Sequence, residues 1–197
     1  GVRMTNFDHY FSNHIAEKIE LDTVTIIDYY NPKYERMYNL RYIFDKKNSS
    51  LCITGDFGEL VAVNFYNMGD WDTFYRHFTN NPDYFIEKVS TSRRSLFVHD
   101  IYEAQKVILK EFFNGKDYED LDFDESCIYD DLFEYFHDQY GFRHMSDDTR
   151  EFLSSQQDEY YVTLEYAGRR ISDVVFLYLD AYKRAYEYLK KGISDGK

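Results

Sequence analysis

Residues 38–66 read YNLRYIFDKKNSSLCITGDFGELVAVNFY, and their patterning decides the fold class. In YNLRYIFD, Leu40, Tyr42 and Phe44 alternate with Arg41 and Ile43, the period of two that lays one set of side chains on a buried face. KKNSS is a polar loop, LCITG a short buried strand, DFGE a tight connection and LVAVNFY a further strand. Upstream, DTVTIIDYY has the same β-branched and aromatic character, and NPKYERM turns the chain between them. About four strands joined by short loops predict an antiparallel meander.

Helical periodicity surrounds this core. In TNFDHYFSNHIAEKIE, Thr5 or Asn6 is a candidate cap and Asp8 suits a helix start. Phe7, Tyr10, Phe11, His14, Ile15 and Ile19 then predict an amphipathic helix. GDWDTFYRHF predicts a helix capped by Asp70, and NPDYFIEKV another with Pro82 in its first turn. STSRRS reads as a polar break. HDIYEAQKVILKEFFNGK lines Ile101, Ala104, Ile108 and Phe112 on one helical face, with Gly115 as its stop. A helix is expected from about Ser126 to Tyr140, ended by Gly141, and another in SDDTREFLSSQQ. DEYYVTLEYAGRR reads as extended, and ISDVVFLYLDAYKRAYEYLKK as a central closing helix. The expected class is α+β: an antiparallel meander of about four strands packed with helices, followed by a mostly helical, acidic portion. Residues 1–114 form the α+β lobe and 115–197 the acidic lobe of one compact unit, and Gly1–Arg3 ahead of Met4 are set aside as a cloning remnant.

The formal charge is −13, and its distribution is uneven. Residues 1–100 hold 14 acids against 11 Lys and Arg, whereas residues 101–197 hold 22 against 12. Such a surface repels nucleic acid and attracts basic grooves, so no direct DNA binding is expected. The 21 Tyr and 17 Phe exclude a disordered chain, which cannot carry so many rings. Two cysteines, Cys52 and Cys127, are too few for a disulfide framework or a four-ligand zinc site; Cys52 reads as a small buried hydrophobe. There is no signal peptide and no apolar run near the ~20 residues that span a bilayer, so a cytoplasmic location without a membrane partner is expected.

Familiar catalytic patterns fail on their own requirements. Asp56-Phe57-Gly58 matches the magnesium-binding triplet of protein kinases, but the glycine-rich loop, strand lysine and catalytic-loop aspartate are missing; a hairpin turn explains the triplet. DLDFDESCIYDD spaces Asp120, Asp122 and Asp124 like a calcium loop, yet Glu125 stands where the sharp turn needs glycine and Asp131 where a bidentate Glu belongs. His9 and His14 are five apart, not at the four-residue step of helical metal ligands. No cofactor or metal site is expected. The basic pairs Arg93-Arg94 and Arg169-Arg170 are too few for a nucleic-acid face.

The sharper signal is KDYEDLDFDESCIYDDLFEYFHDQY, residues 116–140, which carries ten carboxylates and no Lys or Arg after Lys116. On a helix, Asp130, Glu134 and Asp138 recur about every 6 Å, close to the phosphate spacing of a nucleic-acid strand. Asp131 lies beside the row and Asp124 extends it, while Ile128, Leu132, Tyr135 or Phe136, and Tyr140 anchor the opposite face. Asp120 and Asp122 add charge, and Tyr118 and Tyr129 interleave with it as candidate interface rings. The expected partner-binding set is therefore Asp120, Asp122, Asp124, Asp130, Asp131, Glu134, Asp138, Tyr118 and Tyr129.

Residues 41–92 contain Thr54-Gly55-Asp56-x-Gly58 at a strand end, then a strand, a helix and Asp83-Tyr84-Phe85-x-x-Lys88. This arrangement resembles small accessory proteins of phages, plasmids and integrative elements of Gram-positive bacteria. The resemblance implies resistance to a host defence, and the chain looks like an anti-CRISPR protein of the class that blocks Cas9. Cas9 holds guide, heteroduplex and PAM duplex in positively charged channels. The implied partner is a Cas9-like or other nucleic-acid-handling nuclease, with or without its guide RNA. Two other readings stand beside it. One is an unrecognised, metal-assisted enzyme using Asp56 and Glu59 near the hairpin. The other is a mobile-element accessory protein whose acidity serves solubility alone.

Overall fold

Leu40, Tyr42 and Phe44 are all buried, and the sheet of the computed structural model extends outward from them on both sides. The structure describes residues 6–34 and 37–194; Gly1–Arg3 and the cap candidate Thr5 lie outside these. Strands β1 (Ile15–Glu20), β2 (Val24–Tyr30), β3 (Leu40–Asp45), β4 (Ser50–Gly55), β5 (Leu60–Val63) and β6 (Val89–Ser92) form one antiparallel sheet in sequential order. The class is α+β as expected, but the meander has six strands instead of four.

Both extra strands replace other expectations. The expected first helix shrinks to α1 (Asp8–Phe11), and Ile15–Glu20 pairs along its whole length with β2 instead. Ladder hydrogen bonds to an existing neighbour outweigh a local helical period. At the other edge, part of STSRRS joins Val89 in β6, which meets β5 through a register shift between Val61 and Ala62.

The inner sheet face presents Ile27, Tyr29, Leu40, Tyr42, Phe44, Leu51, Ile53, Leu60 and Ala62, all buried. Helices α2 (Trp71–Phe78) and α3 (Pro82–Lys88) contribute Phe74, Phe78 and Phe85 to this core. Their starts are as expected: the Asp70 carboxylate accepts from the Thr73 N–H, and Asn81 caps a helix that opens on Pro82. The long closing helix α8 (Asp173–Ser194) then places Tyr178, Tyr182 and Tyr186 one turn apart. Each hydroxyl finds an acceptor: the Phe57 carbonyl at 2.9 Å, the Trp71 carbonyl at 2.6 Å and the Asp72 carboxylate at 2.5 Å. Tyr42 returns the contact from the sheet, donating to the Tyr178 carbonyl at 2.7 Å. Burial pushes the Tyr42 and Tyr182 hydroxyls far above the usual tyrosine range, so both stay protonated donors.

The chain forms two compact units: one runs to Leu96 and resumes at Ser172, and the other is Phe97–Ile171. The division expected at residue 115 thus lies elsewhere, and α8 belongs with the sheet instead of with the acidic lobe. The second unit opens with β7 (Phe97–His99) and closes with β8 (Arg169–Ile171), which pair antiparallel. Between them run α4 (Ile101–Phe112), the 3₁₀ turn Tyr118–Asp120, α5 (Phe123–Glu134), α6 (Asp147–Gln156) and α7 (Tyr160–Tyr166). Helix α7 and strand β8 occupy the segment read as extended throughout, which the single glycine Gly168, at φ +69°, divides. Ala104, Ile108, Phe112, Phe113, Tyr129, Leu132, Leu153 and Leu164 form this unit's core.

Two stability predictions follow from the first unit. Tyr182→Phe should cost about 1 kcal/mol by removing the hydrogen bond to the Trp71 carbonyl, and Tyr182→Ala about 3–5 kcal/mol, measured by urea denaturation. His14 is buried, with Nε2 2.9 Å from the Tyr38 carbonyl and Nδ1 without a partner. The carbonyl can only accept, so Nε2 carries the proton and Nδ1 is bare. Burial lowers the His14 pKa below its ordinary 6.5. The unfolded chain therefore takes up the proton first, and stability should fall as pH drops below about 6.5 until the folded pKa is passed. His14→Gln, which keeps the donor to Tyr38, should flatten the melting temperature between pH 7 and 5 relative to the wild type.

Candidate functional site: an acidic, tyrosine-rimmed cleft

Helix α5 begins earlier than the periodicity indicates because Asp122 and Glu125 form a capping box. The Asp122 carboxylate accepts the Glu125 N–H at 2.9 Å, and the Glu125 carboxylate accepts the Asp122 N–H at 3.1 Å. Lys116 adds an ion pair to Glu125 at 2.6 Å, which holds this carboxyl below its usual range. The helix also ends earlier, at Glu134. Residues 137–141 form a turn in which the His137 N–H bonds the Gly141 carbonyl at 2.9 Å.

The expected acidic row is consequently incomplete. Asp130 and Glu134 lie one turn apart on α5, but Asp138 stands in the turn beyond it, with His137 Nδ1 at 3.0 Å. Asp131 faces the next helix instead and accepts the Ser146 N–H at 2.8 Å. Burial raises its pKa, but hydrogen bonds from Thr149 and Ser146 outweigh this and leave it lowered. Asp120 and Asp124 are exposed. Tyr129, expected as an interface ring, is buried in the core with Leu132, because the last turns of α5 direct them together against α4. Of the expected anchors, Leu132 is buried and Ile128 and Phe136 pack against the core; Phe136, not Tyr135, fills that place, and Tyr140, beyond the helix end at Glu134, is exposed.

Three of the expected residues do converge. Tyr118, Tyr129 and Asp130 line a cleft of about 560 Å³ between α4, the 3₁₀ turn and α5, together with Asp117, Glu119 and Phe133. Helix α4 supplies the opposite wall through Tyr102, Gln105, Lys106 and Leu109. The Tyr118 hydroxyl donates to Asp130 at 3.2 Å, and its ring tilts against Tyr129 at 5.2 Å between centroids. The hydrogen bond to Asp130 and its charge raise the Tyr118 pKa, and burial pushes Tyr129 up to about 12. Tyr102 stands at the rim, 72% exposed, and Tyr118 is 43% exposed. The α4 wall of Tyr102, Gln105, Lys106 and Leu109 was missed in the sequence, where this helix was read only for its apolar stripe. Their three- and four-residue spacing was the available signal.

The net charge is concentrated in the unit that holds this cleft. Residues 97–171 hold 19 carboxylates against 7 Lys and Arg, a net of −12, while the rest of the chain holds 17 against 16. Among the described residues, the Lys or Arg ion pair that reaches the ten carboxylates of 117–138 is Lys116 with Glu125. The basic pairs serve elsewhere: Arg93 meets Glu59 at 3.8 Å, and Arg169 meets Glu165 at 3.5 Å and stacks over Phe97. Asp56 occupies the β4–β5 turn and accepts the Asn39 N–H at 3.3 Å. Among the described residues no group of His, Cys, Asp and Glu converges as metal ligands, and no helix is long and apolar enough to cross a membrane.

No protein-family description matches this chain, and neither the curated proteins nor the solved structures yield a match.

The Tyr118–Asp130 bond makes a direct prediction. Asp130→Asn should lower the Tyr118 pKa toward its ordinary value of 10, read by NMR titration of ring-labelled tyrosine with Tyr118→Phe for assignment.

Proposed function

We propose that Phe97–Ile171 docks into the cationic groove of a nucleic-acid-handling nuclease, and that the chain is a defence inhibitor of the anti-CRISPR type acting on a Cas9-like enzyme. The observation that carries this reading is the placement of nearly all the net charge in one unit, which also holds a cleft lined by Asp117, Glu119 and Asp130 with tyrosines at its rim. A polyanionic surface competes with phosphates for Arg and Lys, and rings beside the carboxylates add short-range contacts to those same cations. The geometry refines the residue set. Asp117, Glu119, Asp120, Asp124, Asp130 and Glu134 carry the contact with Tyr102 and Tyr118. Asp122 and Asp131 act within the unit, capping α5 and receiving the start of α6. The resemblance of residues 41–92 to accessory proteins of Gram-positive mobile elements supports the same setting.

The test is binding to Cas9, with and without guide RNA, across a salt series. Affinity should fall steeply with ionic strength, and the double reversal Glu119→Lys/Asp130→Lys should weaken binding about tenfold or more at low salt. Reversal of Glu87, an exposed acid of the sheet-bearing unit, should leave it unchanged. Absence of binding, or binding indifferent to salt and to both reversals, would sink the proposal. Turnover abolished by Asp56→Ala in a folded protein would favour the enzyme reading instead.

A further inference from the structure

The six-stranded sheet buries one face under helices, and its other face carries an apolar row that crosses the strands in register. Ile19 pairs with Ile26, Ile26 with Ile43, Ile43 with Cys52 and Cys52 with Val61. Ile19 is 48% exposed, and Ile26, Ile43, Cys52 and Val61 are half-buried, as residues on an uncovered sheet are. Alongside runs a second row, Glu17, Asp28, Arg41 and Thr54, also in register. Arg41 bonds Asp28 through two nitrogens at 2.6 and 2.9 Å, and these side chains line a cleft of about 480 Å³.

We propose that this face is the interface of a two-fold symmetric homodimer, in which β2 of one copy stacks over β3 of the other. A two-fold axis running along the strands between β2 and β3 keeps each row opposite itself and reverses the strand order. Ile26 then faces the second copy's Ile43, and Ile19 faces its Cys52. In the other row Asp28 faces the second copy's Arg41, and Glu17 faces Thr54. The two Asp28–Arg41 pairs merge into one four-charge cluster with both signs alternating, and no like charges oppose. This self-complementarity is what an isologous interface demands.

The rest of the molecule is compatible with such a partner. The sheet-bearing unit is close to neutral, with 17 carboxylates against 16 Lys and Arg. At ~4.8 Å between strands and ~3.3 Å per residue, four overlapping strands cover roughly 400 Å² in plan. That lies at the small end of specific interfaces, where about 800 Å² per partner is standard, so the dimer is weak and concentration-dependent.

Sedimentation velocity on the whole chain, over a series reaching high micromolar concentration, should show a monomer shifting to a dimer. Arg41→Asp should abolish the shift by setting Asp28 against a carboxylate, and the swap Asp28→Arg/Arg41→Asp should restore it. In a Cys127→Ser background, Ile19→Cys should yield a dimer covalently linked by a short bis-maleimide through Cys52 of the second copy. Within one chain residues 19 and 52 are three strands apart, ~14 Å, beyond that reagent's reach. Cys127→Ser alone should not cross-link, because the two Cys52 residues are offset by as much. A monomer at every concentration overturns the proposal, as does a dimer that ignores Arg41→Asp and the swap. Cross-linking of Cys127→Ser through Cys52 alone overturns this axis.

Discussion

The sheet-bearing unit depends on hydrogen bonds from a row of tyrosines on its last helix. Tyr178, Tyr182 and Tyr186 project from α8 at successive turns, and each combines a ring in or beside the core with a hydroxyl bonded to a distant segment. Their acceptors sit in the β4–β5 turn and at the start of α2. One helix therefore ties the hairpin and the helical layer to the inner sheet face. A phenylalanine at each position would supply the area but lose these hydrogen bonds between segments. Tyrosine suits this role because its ring fills the core while its hydroxyl bonds a separate segment, as Tyr42, Tyr178 and Tyr182 do.

Because α8 is required by the sheet, the acidic unit is an insertion. The chain leaves the first unit after Leu96, builds Phe97–Ile171 and returns, with the Ser172 N–H bonded to the Leu96 carbonyl at 2.9 Å. Paired strands β7 and β8 bring the entry and exit of the insertion together. Charge follows the same partition, −12 in the insertion and −1 in the remainder. A near-neutral unit can pack a large aromatic core and leave an apolar sheet face open. A unit that repels itself needs strong local stops and caps to stay folded. The capping box at Asp122 and Glu125, tied by Lys116, is one such device.

The candidate cleft shows how far residue spacing carries. Tyr118 and Asp130 were legible because charge and rings crowd one stretch. The row through Asp138 was not, since a helix periodicity says nothing of where the helix stops, and Glu134 is followed by a turn closed around Gly141. Tyr129 lay in the same stretch as Tyr118, yet one ring is core and the other rim. Which is which depends on α4, whose Tyr102, Gln105 and Lys106 reach the cleft from residues far outside the acidic segment.

Residue order alone determined the elements whose signals are local. The alternation through Leu40, Tyr42 and Phe44, the cap at Asp70, Pro82 in the first turn of α3, and Ala104, Ile108 and Phe112 on the apolar face of α4 needed no partner to be read, although Ile101 of that expected face is exposed. Tertiary structure decided whatever required a neighbour. Residues 15–20 have a helical period and became a strand because β2 offered a full ladder. STSRRS looked like a loop and became an edge strand against β5. Helix α8 looked like part of the acidic lobe and belongs to the sheet, since only the inner face of the meander could bury its tyrosines. Local spacing sets what a segment can form, and the unpaired backbone and open apolar surface of its neighbours set what it does form.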